Sequence, residues 1–248
     1  DNSRILAAIP TIKHVLENGG SCIVMSHLGR PKKREKKLSL INVKQELERL
    51  LDHDVIFVEN CIGPDAKKAS EELIPGEVLL LENLRFYKEE IAGDEKFAQK
   101  LSSLADIYVN DAYGTTHRAH ASTSTIAKYF SEKSPGLLLE KEIFSLKKVL
   151  ESPKKPVTAI VGGAKVSSKI SIIANMLKVI DNLVVGGGMA YTFILSSGGK
   201  VGDSICEPEN LRDCKEILDL AKKNNVKIFL PTDVVVSKSF SNNDKQKE

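Results

Sequence analysis

Short runs of aliphatic and β-branched residues alternate with helical periodicities along this 248-residue chain. Residues 21–26, 55–58, 78–81 and 107–110 have the composition of buried strands, and helical patterns lie between them. Parallel strands need a long crossover, usually a helix, whereas antiparallel strands can be joined by a short hairpin. The alternation therefore predicts an α/β fold built on mostly parallel sheets.

A pair of prolines divides this alternation into two parts. A helical pattern over residues 138–150 ends at Pro153, and Pro156 follows closely. Strand-like runs then resume at residues 157–161 and 183–185. We predict two Rossmann-like doubly wound parallel-sheet domains joined by a long helix, the second incomplete. The predicted parts are residues 1–137, 138–152 and 153–248.

Composition excludes several classes of protein. The net charge of 36 − 33 = +3 is too small to indicate non-specific nucleic-acid binding, so we expect no nucleic-acid partner. Four cysteines without metal spacing, Cys22, Cys61, Cys206 and Cys214, indicate reduced thiols in the cytoplasm. No apolar run approaches the roughly 18 residues that span a bilayer, and no signal peptide opens the chain. We expect a cytoplasmic protein without a membrane partner.

Arginines follow three of the predicted strands in the first part. Arg30 comes after the first strand, Arg85 after the third and Arg118 after the fourth. Ligands of open α/β sheets bind beyond the carboxyl ends of the strands, so these side chains are expected at one edge of one sheet. Like charges gathered there repel unless an anion lies between them, and the guanidinium group suits phosphate or carboxylate oxygens. We interpret this edge as a phosphate site.

The alternative for each arginine is a local ion pair. Glu82, Asp111 and Glu89 are near enough in sequence to serve as partners. The basic run at residues 32–37 is more typical of a solvated loop than of a binding site. Three arginines at equivalent strand ends favour the phosphate site over three separate ion pairs.

The five histidines differ in what their positions indicate. His27 lies at a strand end beside the first arginine, which makes it a candidate ligand contact. His117 and His120 flank the third arginine and could equally pack or order that loop. His14 and His53 have the pattern of ordinary surface positions.

The second part contains a glycine- and lysine-bearing turn after its first strand. Residues 162–169, Gly-Gly-Ala-Lys-Val-Ser-Ser-Lys, match neither G-x-x-x-x-G-K-[ST] nor G-x-G-x-x-G. The glycines permit a tight turn into a helix, and Lys165 and Lys169, four apart on one helical face, could reach phosphate oxygens. The alternative is a glycine turn followed by solvent-facing lysines.

Three glycines at residues 186–188 end the next strand of the second part. Glycine at a strand–helix junction indicates that some group comes close to the backbone. A flat adenine base is one candidate, and a tight helix–strand crossing is the other. The spacing alone does not decide between them.

Together these motifs resemble the phosphoglycerate kinase family over essentially the whole chain, in the family's order and at its usual intervals. The segments that carry the resemblance are SHLGRP at 26–31, LLLENLRF at 79–86, YVNDAYGTTHRAHAS at 108–122, VGGAKVSSKI at 161–170 and GGGMAYTF at 186–193.

The resemblance implies a role for each part. The first domain would bind 3-phosphoglycerate and the second ADP or ATP, with closure of the two domains over both substrates. The implied phosphoglycerate contacts are Arg4, His27, Leu28, Gly29, Arg30, Arg85 and Arg118. The implied nucleotide contacts are Gly163, Ala164, Lys165 and Lys169 for the phosphates, Gly187 and Gly188 for the adenosine, and Ile205 for the adenine.

The implied reaction is reversible phosphoryl transfer between 1,3-bisphosphoglycerate and ADP, a step of glycolysis. In the direction of ATP use the nucleophile is an ionised carboxylate, so no general base is needed. Arg4, Lys165 and Lys169 are the candidates for neutralising charge on the phosphoryl group. The Mg²⁺ of the bound nucleotide would take its protein ligand from outside this chain. We also expect a monomer.

Three segments of the family's pattern are absent from this sequence. An Asp-x-Asn motif would precede Asp1, and Trp-Asn-Gly-Pro and Gly-Gly-Gly-Asp-Thr segments would follow Glu248. We therefore expect a polypeptide of only these residues to be weak or inactive as a kinase.

Two other functions fit parts of the pattern. A dinucleotide-dependent dehydrogenase would share the doubly wound fold, but it requires G-x-G-x-x-G after a strand and an acid after the next strand. That next strand ends instead at residues 186–188, which are all glycine. A non-catalytic phosphate- or nucleotide-binding protein is the second alternative, and turnover would distinguish it from a kinase.

Overall fold

The computed structural model describes residues 2–237 and divides the chain into two compact units between Ser145 and Leu146. Residue 1 of the predicted first domain lies outside the described residues, as do residues 238–248 of the predicted second domain. The division falls inside a long helix, Leu137–Glu151, which the sequence predicted to within one residue at each end. The roles of the predicted parts stay predictions.

Unit one, up to Ser145, contains five strands in two parallel sheets. Strands β1 (Cys22–Val24), β2 (Val55–Val58) and β3 (Val78–Leu81) form one sheet in the order β1-β3-β2. Strands β4 (Ile107–Asn110) and β5 (Glu132–Pro135) form the other. Its helices are α1 (Ser3–Glu17), α2 (Ile41–Leu51), α3 (Pro64–Glu71), α4 (Lys88–Ala92), α5 (Glu95–Ser102), α6 (Tyr113–Thr116) and the first part of α7 (Leu137–Glu151), with 3₁₀ turns at Lys36–Leu38, Leu84–Phe86 and Thr125–Tyr129.

This pairing corrects one expectation. The strand pattern predicted all three arginines at an edge of one sheet, but β4 pairs with β5 and not with the β1-β3-β2 sheet. Strand β5 was not predicted because its sequence, Glu-Lys-Ser-Pro, has no apolar alternation and all four residues are exposed. Its structure is set by pairing with β4.

Strand β3 is the centre of unit one, and all four of its residues are buried. Successive side chains of a strand point to opposite faces of the sheet. Leu79 and Leu81 accordingly belong to the apolar cluster that includes Phe97 of α5. Val78 and Leu80 belong to a second cluster with residues of α1 and α2, including Ile12 and Leu47. Because β3 is packed on both faces, the position of the residues that follow it is well defined.

Unit two repeats the α/β plan with one parallel sheet in the order β6-β7-β8. Its strands are β6 (Thr158–Gly162), β7 (Asn182–Gly186) and β8 (Lys227–Phe229), and its helices are α8 (Ile170–Met176), α9 (Met189–Ser196) and α10 (Leu211–Lys223), with a 3₁₀ turn at Pro208–Asn210. The core joins Leu183 and Val185 of the sheet to Ile173, Phe193 and Ile217 of the three helices. In the described part of the chain, no helix has the length and apolar character needed to cross a membrane.

Candidate functional site

Hydrogen bonds join the loops that follow β1 and β3 in unit one. Arg85 donates from Nη1 to the carbonyl oxygen of Gly29 at 2.7 Å. The Asn83 side chain donates to the carbonyl oxygens of Leu28 and Leu38, both at 2.8 Å, and its Oδ1 accepts from the Arg85 amide. Three predicted site residues, Leu28, Gly29 and Arg85, are thereby brought together.

The predicted cationic residues of unit one share one electrostatic environment. Burial lowers the pKa of His27 to about 4, and the positive charges of Arg85, His120, Arg118 and Arg4 contribute to the same shift. A neutral imidazole thus lies among cations.

The guanidinium of Arg85 is affected by the same surroundings. Burial lowers its pKa, as do the neighbouring charges of Arg118 and Arg30, while Glu90 acts in the opposite direction. The structure therefore gathers Arg4, His27, Arg30, Arg85 and Arg118 into one basic cluster, although the strands before them belong to two sheets.

Within the described part of the chain, the arginines of this basic cluster have no carboxylate partner. Among residues 2–237, no ion pair within 4.0 Å involves Arg4, Arg30, Arg85 or Arg118. The Nε atoms of Arg85 and Arg118 are buried and have no hydrogen-bond partner among the described residues. A buried donor without a partner costs about 1–3 kcal/mol, so the site is suited to an anion from outside the chain.

The carboxylates that could have paired with these arginines bind other groups. Glu82 accepts from the Ser39 hydroxyl at 2.6 Å and from two backbone amides. Asp111 accepts from the Thr11 hydroxyl at 2.6 Å and from the Leu139 amide at 3.0 Å. The local ion-pair interpretation is therefore wrong for both acids.

The loop that carries Arg118 is held by a buried glutamate that sequence reasoning did not identify. Glu90 accepts from the amide and hydroxyl of Ser122 at 3.0 and 2.7 Å. Nδ1 of His120 lies 3.5 Å from the same carboxylate, so this histidine orders the loop. No motif marks Glu90, since it lies in a charged stretch, Lys-Glu-Glu, that is typical of a solvent-facing segment. His14 and His53 are exposed.

The basic run at residues 32–37 contains one structural arginine. Arg34 donates to the carbonyl oxygen of Glu59 at 3.1 Å and to Oδ1 of Asn60 at 3.3 Å. Its guanidinium also lies 5.4 Å from the ring centre of Phe86. Arg34 therefore ties the loop after β1 to the loop after β2 and to the turn after β3.

In unit two, the two glycine turns pack against each other. The Met189 amide donates to the carbonyl oxygen of Gly163 at 2.9 Å. Gly187 has a φ of +67°, and a Cβ there would lie 3.0 Å from the backbone N and O of Gly163. A Cβ at Gly188 would lie 3.1 Å from the carbonyl oxygen of Ala164. The group that approaches residues 187 and 188 in this structure is thus the neighbouring turn.

The placement of the two lysines differs from the prediction of a shared helical face. Helix α8 begins at Ile170, so Lys165 and Lys169 both precede it. Residues 166–169 form a turn because two contacts hold them. Val166 is fully buried, and Ser167 donates hydrogen bonds to the Glu207 carboxylate from its amide at 2.9 Å and from its hydroxyl at 2.7 Å. Lys165 is exposed and Lys169 is half-buried.

Glu207 is a second buried glutamate that sequence reasoning missed. The Ser167 amide and hydroxyl, in that order, hold the pKa of its carboxyl below the usual value. Its own amide donates to the buried hydroxyl of Thr192 at 3.1 Å. Ile205, the predicted adenine contact, lies two residues earlier and is 66% exposed. Glu207 therefore links the lysine turn, α9 and the loop of Ile205.

The described residues include no group of three or more His, Cys, Asp or Glu side chains that could hold a metal ion. The donor set expected of a resident metal site is therefore not found within residues 2–237.

Comparison with known proteins gives a consistent result. A family model described as phosphoglycerate kinase matches residues 1–248. The phosphoglycerate kinase of Moorella thermoacetica is 51% identical, with 97% of this chain and 61% of that protein covered. The cytosolic phosphoglycerate kinase of Triticum aestivum is 48% identical, with 97% and 60% covered.

A solved structure agrees with these relatives. The phosphoglycerate kinase from Coxiella burnetii has a TM-score of 0.80 and 37% identity, with 100% of this chain and 62% of that chain covered. The chain spans about three-fifths of the length of the curated relatives it matches. With a family model over its whole length, this chain belongs to the phosphoglycerate kinase family.

Proposed function

We propose that the protein catalyses reversible phosphoryl transfer between 1,3-bisphosphoglycerate and ADP, giving 3-phosphoglycerate and ATP in glycolysis. The observation that carries the proposal is the basic cluster of unit one. Among residues 2–237 its arginines have no carboxylate partner, and two of them have buried Nε atoms without a hydrogen bond. A three-carbon acid with a phosphate and a carboxylate would supply acceptors for several guanidinium groups at once. Family membership supports the same substrate.

In this proposal the contacts to phosphoglycerate come from unit one. Arg85 and Arg118 would bind the phosphate or carboxylate oxygens through their free donors. The lowered pKa of His27 keeps its ring neutral near pH 7, so it can donate one hydrogen bond without adding to the repulsion among the arginines. The proposed set is Arg4, His27, Leu28, Gly29, Arg30, Arg85 and Arg118.

The nucleotide would bind to unit two. Gly163, Ala164, Lys165 and Lys169 would face its phosphates. Gly187 and Gly188 would lie against the adenosine and Ile205 against the adenine. The exposed Lys165 and half-buried Lys169 support a phosphate role, since neither makes an ion pair within 4.0 Å among the described residues. Mg²⁺ would enter as part of the substrate, bound to the nucleotide.

Direct transfer requires little acid–base chemistry from the protein. The carboxylate of 3-phosphoglycerate is ionised near neutral pH and can attack the γ-phosphorus without a base. Burial raises the pKa of Cys22 and Cys214 to about 11, and that of Cys61 further, so these thiols are poor nucleophiles. We assign to Arg4, Lys165 and Lys169 the neutralisation of charge on the transferred group.

We also propose a cytoplasmic, monomeric protein. All four cysteines are free thiols, as expected in a reducing compartment. Each proposed substrate site takes its residues from a single copy of the chain. Light scattering on the purified protein tests the monomer.

A coupled assay tests the proposed reaction. The full-length product of the gene should consume ATP only when 3-phosphoglycerate and Mg²⁺ are both present. Binding of both substrates without turnover would instead favour a non-catalytic binding protein.

A further inference from the structure

Buried carboxylates lie behind the cationic loops of both units. Among residues 2–237 the buried charged side chains are Glu82, Glu90 and Glu207, which are 4%, 4% and 7% exposed. A buried carboxylate is unfavourable unless hydrogen bonds replace its water, so its partners indicate its role. All three accept a hydrogen bond from a serine hydroxyl at 2.6–2.7 Å.

Two of these glutamates bind their serine in the same way. Glu90 accepts from the Ser122 hydroxyl through Oε1 and from the Ser122 amide through Oε2. Glu207 accepts from the Ser167 hydroxyl through Oε1 and from the Ser167 amide through Oε2. Both carboxylate oxygens are thus used by one residue, which fixes the backbone and the side chain of that serine together.

Each serine belongs to a loop that carries predicted ligand contacts. Ser122 lies four residues after Arg118, and the Thr123 hydroxyl donates back to the Arg118 carbonyl oxygen at 3.3 Å. Ser167 lies between Lys165 and Lys169, which are two residues away on either side. The carboxylates of Glu90 and Glu207 therefore fix the backbone of the loops that carry the cationic side chains.

Neither carboxylate neutralises those cations directly. Within the described range, no arginine or lysine nitrogen lies within 4.0 Å of Glu90 or Glu207. Among the described residues, the one basic side chain at that distance is the imidazole of His120, 3.5 Å from Glu90. The cationic groups in front of the loops therefore stay available to an anion.

We propose that Glu90 and Glu207 are positioning residues, each of which fixes one ligand loop through one serine. Glu90 and Ser122 hold the loop of Arg118 for phosphoglycerate, and Glu207 and Ser167 hold the lysine turn for the nucleotide. This inference rests on the proposed function for the identity of the two ligands. It predicts effects that are confined to one substrate, which a general loss of stability would not produce.

The substitutions Ser122→Ala and Ser167→Ala test the proposal in the full-length protein. Each substitution removes one hydroxyl and leaves the hydrogen bond from the backbone amide to the glutamate carboxylate in place. Ser122→Ala should weaken binding of 3-phosphoglycerate about three- to tenfold and change ADP binding less than about twofold. Ser167→Ala should have the reverse pattern. Dissociation constants from calorimetry and KM values from turnover provide the readouts.

Matched controls separate positioning from stability. Ser122→Thr and Ser167→Thr keep a hydroxyl and should restore most of the lost affinity. Ser102→Ala and Ser197→Ala remove hydroxyls that bond only to their own helices, and they should leave both affinities unchanged. Equal weakening of both ligands by either test variant, or no weakening, overturns the proposal. A wild-type protein that binds both ligands without turnover contradicts the proposed reaction, while the pattern of dissociation constants still decides the role of the serines.

Discussion

The two units present positive charge in different ways. Unit one gathers arginine side chains, two of which have buried, unbonded Nε atoms. Unit two presents two glycine turns whose backbones touch, with its lysines on an exposed turn. The first arrangement depends on side-chain charge held in place by the surrounding fold, and the second depends on backbone conformation. Substitutions should therefore affect the first unit mainly through affinity and the second mainly through stability.

The largest effect is expected from Arg118→Met. Loss of a guanidinium from the basic cluster should lower kcat/KM for 3-phosphoglycerate about 10²- to 10³-fold, since breaking a desolvated charge pair costs roughly 2–5 kcal/mol. The nucleotide KM should stay within about twofold of the wild-type value. Steady-state kinetics in both substrates measures this.

The same variant should be more stable without ligand. Its buried Nε has no partner among residues 2–237, so replacement of the side chain by a thioether should raise the free energy of unfolding by about 1 kcal/mol. Urea unfolding with and without 3-phosphoglycerate checks the sign. A fall in ligand-free stability would mean that Arg118 has a partner in the free protein, which would contradict the description of unit one as a cluster of unpaired arginines.

Gly187→Ala should destabilise unit two. The φ of +67° and the 3.0 Å approach to the Gly163 backbone together should cost about 2–3 kcal/mol of unfolding free energy. Gly202→Ala is the matched control, since Gly202 has a φ of +54° and a Cβ there would meet no atom within 4 Å. It should lose only about 1–2 kcal/mol. Equal losses measured by urea unfolding would contradict the packing of the two turns.

His27 should make stability depend on pH. Its pKa is about 4 in the folded protein, below its ordinary value of 6.5, so the unfolded chain binds the proton more readily. Stability should be unaffected above pH 6.5 and should fall as the pH drops from 6.5 towards 4. The ring is partly solvated, so we expect a loss of about 1 kcal/mol rather than the full shift.

The His27→Asn variant is the control for this pH dependence. It should remove the contribution of His27 to the pH dependence of the free energy of unfolding, measured by urea unfolding between about pH 7 and pH 5. Saturating 3-phosphoglycerate should raise the His27 pKa, because a bound anion favours the protonated ring. An unchanged pKa on ligand addition, measured by NMR, would place the anion elsewhere.

The smallest effect is expected from Arg34→Met. Loss of its three hydrogen bonds, to Glu59, Asn60 and Tyr87, and of its contact with the Phe86 ring should lower the free energy of unfolding by about 1 kcal/mol. Arg212→Met, which breaks only an exposed i,i+4 ion pair with Glu216, should lose about 0.3 kcal/mol. Equal losses would show that Arg34 does not tie its loop to the turn after β3.

The sequence predicted the parts of the fold that depend on local pattern. The strands β2, β3 and β4 and the long helix α7 follow from apolar periodicity and flanking prolines. It did not predict the pairing of β4 with β5, because Glu-Lys-Ser-Pro forms a strand only through its neighbour. It also placed Lys165 and Lys169 on one helical face, whereas the buried Val166 and the hydrogen bond from the Ser167 amide to Glu207 produce a turn before α8.

In the candidate sites, too, residues marked by a local sequence pattern could be predicted, and residues placed by distant contacts could not. Arg30, Arg85 and Arg118 could be identified because each follows a recognisable strand. Glu90 and Glu207 could not, because their partners lie 32 and 40 residues away. Burial of a charged residue by distant contacts leaves no periodic signal in a single sequence. For Glu82, the position directly after a fully buried strand was an available signal.

The most direct test of the basic cluster is an NMR titration with 3-phosphoglycerate, with glycerate as the ligand that lacks the phosphate. The account predicts saturable shifts in the His27 ring and in the Arg85 and Arg118 side chains with 3-phosphoglycerate, and much weaker shifts with glycerate. Saturable binding that leaves these three residues unshifted would contradict it.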